Sequence, residues 1–274
     1  MREEPREERA PVKGGVIWVL AACAAAGACS GSAPAHGPTG KAPPAPTAYL
    51  APPAVTDARR TGSAVLLSGT ASAGAAIRLA SPDGSALTGN ADRKGAWRLT
   101  APVGAAARLY SLSELSAGRL VRAIGYVAVL PAPGPAAAML RPAASALVPG
   151  HAGARGLRSL DYDASGAAMA AGRSAPGETV RLALDGEEAG ADRADAAGDF
   201  SASLSHPLAP GQHVLGVSGQ RLRASVGFAA TRASQVATPP FDAQRVDGAW
   251  RVDWMAPGGG VQTTVLFDPR GGRS

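Results

Sequence analysis

Gly69-Thr-Ala-Ser-Ala-Gly74-Ala-Ala-Ile77-Arg78-Leu79 returns 103 residues further on as Gly172-Arg-Ser-Ala-Pro-Gly177-Glu-Thr-Val180-Arg181-Leu182. The correspondence continues downstream. Asp83-Gly84 is answered by Asp185-Gly186, one residue short of the same offset. Ala91-Asp92-Arg-Lys-Gly95-Ala-Trp97 is then answered by Ala194-Asp195-Ala-Ala-Gly198-Asp-Phe200, with the offset of 103 restored. A slip confined to a turn is what a duplicated structural unit tolerates, so the chain reads as two copies of one fold.

Within each copy the apolar residues alternate. Val65 and Leu67, Ile77 and Leu79, and Trp97 and Leu99 are each separated by one small or polar residue, the period of a half-buried strand. Asp83-Gly84 and Asp185-Gly186 are tight-hairpin pairs supplying positive backbone angles. Gly95 and Gly198 mark a turn just before an aromatic, so Trp97 and Phe200 are expected to be equivalent core residues. Truncating either to Ala should cost ~3–5 kcal/mol.

The pattern GTA-x-x-GA-x-I-x-L, then DG, then AD-x-x-G-x-W resembles bacterial Ig-like repeat domains of envelope and surface proteins. It is also similar to the transthyretin-like regulatory module found on some carboxypeptidases and outer-membrane receptors. Both resemblances imply a β-sandwich, over about 65–99 and 168–204, with flanking strands such as 119–130, 212–217 and 225–229 completing each sandwich. The paired cysteines and inter-sheet tryptophan of antibody domains are missing, so no antibody-like detail is implied.

Between the copies, residues 136–148 contain Pro142, which argues against a central strand and against an uninterrupted helix. A strand followed by a bulge is preferred. Near the C-terminus, Trp250, Val252 and Trp254 alternate, Ala256-Pro-Gly-Gly-Gly260 turns the chain, and Val261, Thr263, Val265 and Phe267 alternate back. This hairpin has one apolar face. It is expected to add strands to the second sandwich; the other reading leaves Trp250 and Trp254 as an exposed strip for binding glycan or peptidoglycan.

At the other end, Arg9 and Lys13 precede an apolar stretch from Gly14 to Ala28 that closes in small residues, the order of a secretory leader. Fifteen residues are too few for a helix to span a bilayer, which needs ~20. Leu20-Ala-Ala-Cys23 and Ala26-Gly-Ala-Cys29 both resemble the lipobox of bacterial lipoproteins, in which a cysteine is lipidated and becomes the mature N-terminus. Cys29, followed at once by Ser-Gly-Ser, is preferred, with Cys23 the other acceptor. The acidic opening, Glu3, Glu4, Glu7 and Glu8, departs from that family's basic start. Each buried methylene of an acyl chain adds ~0.8 kcal/mol, so two or three chains hold firmly. Ser30 following the cysteine implies, by the same resemblance, transfer to the outer membrane. Residues 30–62, rich in Pro, Ala and Gly, read as a linker able to reach on the order of 100 Å at ~3.1 Å per residue.

The 274 residues carry 35 Gly, 23 Pro and only 4% aromatics, a turn-rich small-residue composition. The net charge of +6 comes from arginine, with only three lysines, but the arginines are scattered and have no aromatics between them to stack bases, so nucleic acid is not expected as a partner. No HExxH, G-x-S-x-G, S-x-x-K or P-loop pattern is present, and the four histidines, His36, His151, His206 and His213, do not fall at metal-ligand spacing. Asp161/Asp163, Asp185/Glu187/Glu188 and Asp192/Asp195 read as solvated loop carboxylates rather than a Ca²⁺ loop.

The sequence therefore predicts an all-β protein: leader with lipobox 1–29, linker 30–62, sandwich 63–148, sandwich 149–232 and C-terminal hairpin 233–270. No catalytic residue, metal or cofactor is expected. The expected function is a non-enzymatic spacer, assembly or adhesion module held to the bacterial envelope by lipid, with an envelope protein or glycan as partner.

Overall fold

The computed structural model describes residues 49–150, 154–232 and 235–268. Cys23 and Cys29, with the whole leader, lie outside them. All regular structure in the described residues is strand, in four antiparallel sheets.

The first sandwich faces a sheet of β1 (Ala54–Thr61), β2 (Ala64–Thr70) and β5 (Ala96–Pro102) against a sheet of β4 (Ala86–Asn90), β3 (Ala76–Ala80), β6 (Arg108–Ser116), β7 (Arg119–Val129) and β8 (Ala137–Leu140), each in that spatial order. Its core is Val65, Leu67, Ile77, Leu79, Trp97, Leu112 and their neighbours, the inward members of the alternating pattern. The second sandwich faces β12 (Glu187–Arg193), β11 (Thr179–Leu184), β14 (Gly211–Ser218) and β15 (Arg223–Ala230) against a six-stranded sheet. That sheet runs β13 (Asp199–Ser203), β10 (Ala168–Arg173), β9 (Gly156–Asp163), β18 (Val261–Leu266), β17 (Ala249–Met255) and β16 (Phe241–Val246). Leu160, Val180, Leu182, Phe200, Leu215 and Phe228 fill its core.

The two copies are alike in detail. Trp97 lies opposite Gly69 on the ladder, and Phe200 opposite Gly172. A Cβ on either glycine would stand 2.5–2.6 Å from the facing ring, so each glycine is the slot into which the aromatic folds. Asp92 Oδ1 accepts from the backbone N–H groups of Lys94 and Ala96, and Asp195 Oδ1 from those of Ala197 and Asp199, closing the same D-x-x-G turn. Gly95 (φ +80°) and Gly198 (φ +86°) sit at its left-handed position. A third copy, unmarked by the repeat, stands at Asp163, whose Oδ1 accepts from Ser165 and Ala167 ahead of β10.

Three expectations are corrected. Residues 54–61, read as linker, form β1; its equivalent is β9, and both carry a bulge beside the slot glycine, between Val55 and Asp57 and opposite Ala171/Gly172. The one-residue slip is a change of turn type. Asp185 (φ +54°) and Gly186 (φ +90°) form a two-residue hairpin loop, whereas the first copy spans residues 81–85 and only Gly84 is left-handed. The C-terminal hairpin has a third strand, β16, and joins the second sandwich because β18 pairs with β9, Val265 opposite Leu160. Residues 136–148 hold β8 and a turn that returns Leu147 to Met139, as the strand-then-bulge reading expects.

Candidate functional site

The face of β17 carrying Trp250, Val252 and Trp254 is buried, with Trp250 6% and Trp254 1% exposed. They do not form a strip open to sugar. They are buried because β17 has a partner on each side: its ladder belongs to the second sandwich, while these three side chains pack with Leu109, Ala128, Leu130, Ala138 and Leu140 of the first. Ala146 and Val148 of the connector complete the cluster.

Polar groups fix the wedge in place. Trp250 Nε1 donates to the Pro133 carbonyl at 3.0 Å, and Arg245 donates to the same oxygen at 2.7 Å with its guanidinium 5.8 Å from the Trp250 ring centre. Arg245 also donates to the Gly248 carbonyl. The opposite side of that loop is held by Arg60, which donates to the carbonyls of Leu130, Pro131, Gly134 and Pro135 at 2.6–3.1 Å. Burial lowers its pKa, and four carbonyl dipoles rather than a carboxylate offset its charge. Trp254 Nε1 donates to Thr264 Oγ1 at 3.2 Å, Thr264 donates to Asp161 at 2.6 Å, and Asp161 accepts the Ala146 N–H at 2.8 Å. This chain runs from the wedge through the six-stranded sheet to the connector.

Asp161 is therefore a buried structural acid and not a solvated loop residue; burial pushes its pKa up to about 6 against the hydrogen bonds it accepts. Asp253 is likewise buried, paired with Arg251 at 3.1 Å and accepting from Thr263 at 2.5 Å.

The sequence reading did not foresee a pairing of His213 with Asp185 at 2.7 Å. It has the outline of half a catalytic triad, but His213 Nε2 lies 2.8 Å from the Ala209 carbonyl, so both ring nitrogens face acceptors. Burial works against the charged ring, the Asp185 and Ala209 hydrogen bonds outweigh it, and the histidine pKa is raised. The imidazolium is a tie between β14 and the β11–β12 turn. Among the described residues no three of His, Cys, Asp and Glu stand together as metal ligands, and no helix is long and apolar enough to cross a membrane.

No family model and no curated protein matches the chain. Solved structures with some likeness include a biofilm-associated protein BSP domain, at 12% identity over 68% of this chain and 30% of that one, TM-score 0.22. A Ca²⁺-stabilized adhesin of an ice-binding Antarctic bacterium shares 17% over 82% of this chain and 65% of that one, TM-score 0.21. Invasin, a bacterial integrin-binding protein, shares 12% over 81% and 55%, TM-score 0.21. The chain thus spans less than two thirds of each of these proteins.

Proposed function

We propose that the chain is a non-enzymatic, lipid-anchored envelope protein in which two fused sandwiches act as a stiff spacer or assembly module. The observation that carries the reading is the wedge. β17 is a strand of the second sandwich whose tryptophan face is core for the first, so the pair behaves as one body of fixed length. A spacer needs that property; a flexible tandem array lacks it. The ionisable groups nearest to catalytic form, Asp185–His213 and Asp161–Thr264, each have their reactive atoms engaged by backbone or neighbouring side chains.

The leader supplies the anchor, through Cys29 or Cys23. Palmitate labelling of the full chain in a bacterial host should be retained in one of Cys29→Ala and Cys23→Ala, lost in the other, and absent from the double variant. Absence of label in the unaltered chain would remove the anchor, and solution scattering that requires two independently moving bodies would remove the spacer.

A further inference from the structure

On the solvent face of the first sandwich, the ladder sets Arg78 of β3 opposite Ser113 of β6, and Ser113 opposite Arg122 of β7. The two arginines therefore stand two strand spacings apart, about 10 Å, with a serine between them. The next row is Ala80, Ser111 and Tyr126. Between these rows β6 advances two residues and β7 four, so β7 carries a bulge, and bulges bend the strand that holds them. Gly125 sits in it at φ +97°, where a Cβ would lie 1.8 Å from the Leu140 carbonyl oxygen. The bend hollows the face into a groove of about 630 Å³, within the range of ligand sites, and Pro257 of the β17–β18 turn stands at its far side.

The lining has one sign of charge. No carboxylate borders the groove; Glu114 on β6 points the other way, into the core, where it accepts from Ser72. Among the described residues neither Arg78 nor Arg122 forms a hydrogen bond or ion pair. Two unpaired guanidinium groups in a concavity concentrate anions and bind carboxylates in a two-pronged fashion. β3, β6 and β7 are interior strands, flanked by β4 and β8, so their backbone groups are taken and a peptide cannot add to them as a strand. Recognition falls to side chains. The Tyr126 ring is braced edge-to-face by Trp254 at 6.0 Å, and it and Pro257 offer apolar plates to ring-shaped ligands. Ser111 and Ser113 offer hydroxyls.

We propose that this groove binds an acidic oligosaccharide, with hexuronate carboxylates on Arg78 and Arg122, ring faces on Tyr126 and Pro257 and ring hydroxyls on the two serines. The site is independent of lipid anchoring. Titration calorimetry of the full chain with tetragalacturonate tests it. Arg78→Gln and Arg122→Gln should each weaken binding roughly ten-fold. Arg98→Gln, on the opposite sheet, should leave it unchanged, and all three should keep the melting temperature because the side chains are exposed. Binding should fall with added salt and be missing for neutral maltotetraose. Failure to bind tetragalacturonate, undiminished binding in both groove variants, or equal or tighter binding of polyglutamate or dextran sulfate would overturn the assignment.

Discussion

Asp161 is held in a state that its surroundings oppose. Its carboxyl is raised from 3.8 to about 6, chiefly by burial on β9. The folded chain therefore binds more protons there than the unfolded chain between those values, so this residue's contribution to stability is fully present below pH about 4 and is lost as pH rises through about 6. The size is on the order of 2–3 kcal/mol. Asp161→Asn, which keeps an acceptor for the Ala146 N–H and a polar contact with Thr264, should flatten the stability curve over pH 4–6 relative to the parent in urea titrations. An unchanged slope would show that Asp161 does not titrate in that window. His213 acts in the same direction at higher pH: its raised pKa gives stability that is present below about 6.5 and fades as pH rises through the folded value. A second residue-level device separates the two copies. In the first, Glu114 of β6 reaches the turn to accept from the Ser72 N–H. In the second, Glu178 sits on the turn itself, accepting from Ala175 and Arg221, and fills the space over Gly219. The carboxylate has changed strands while keeping its task. Glu178→Ala should lower the melting temperature, and adding Gly219→Glu should restore part of the loss, because that substitution recreates the arrangement at Glu114 and meets mainly the removed Glu178 side chain.

At the scale of the strand, the slot glycines explain why the repeat is so legible. A Cβ at Gly172 would meet two things, the Phe200 ring at 2.6 Å and the Gly156 carbonyl at 2.3 Å, and one at Gly69 would likewise meet Trp97 and the Ala54 carbonyl. The carbonyls come from the bulged strands β9 and β1, so backbone, which cannot rotate away, sets the restriction. Gly172→Ala should thus destabilise even in a Phe200→Leu background, by ~1–3 kcal/mol in thermal unfolding, whereas relief by the smaller side chain would place the restriction in the aromatic alone. Alternation, turn glycines and the D-x-x-G aspartates are local signals, and the strands they mark stand where the sequence reading puts them. β1 and β9 were not legible. Their sequences, AVTDARRT and GLRSLDYD, place Arg, Asp and Ser at positions that tertiary contacts bury or bond, and the bulge in each breaks the two-residue period. The groove was illegible for a related reason: Arg78, Ser113 and Arg122 are neighbours only through ladder register, and Arg122 reaches its row through an irregularity in β7.

At the scale of the whole molecule, the question is whether two cores unfold as one. Trp254 answers for both. It packs in the cluster shared with β6, β7 and β8, touches Tyr126 of the first sandwich, and through Thr264 and Asp161 reaches the ladder of the second. Its local pattern, alternating aromatics in a hairpin, reads equally well as an exposed strip, because which face of β17 meets water is decided by a sandwich more than a hundred residues earlier in the chain. With this wedge intact, loss of either core exposes the other's apolar face, so denaturant unfolding of the full chain should follow one transition by fluorescence and circular dichroism alike. Trp254→Ala removes the largest side chain of the shared cluster and leaves Thr264 short of a donor, a cost of ~3–5 kcal/mol that falls on the coupling between the sandwiches. Two transitions should then separate, each with a smaller denaturant dependence than the parent. Trp97→Ala, at a similar cost but deep in the first core alone, should lower the single transition without dividing it as long as the wedge energy exceeds the stability difference between the two sandwiches. A Trp254→Ala protein that still unfolds in one step would mean that the Arg60 clamp and the connector suffice to join the bodies, and that the tryptophan wedge is not what fixes their spacing.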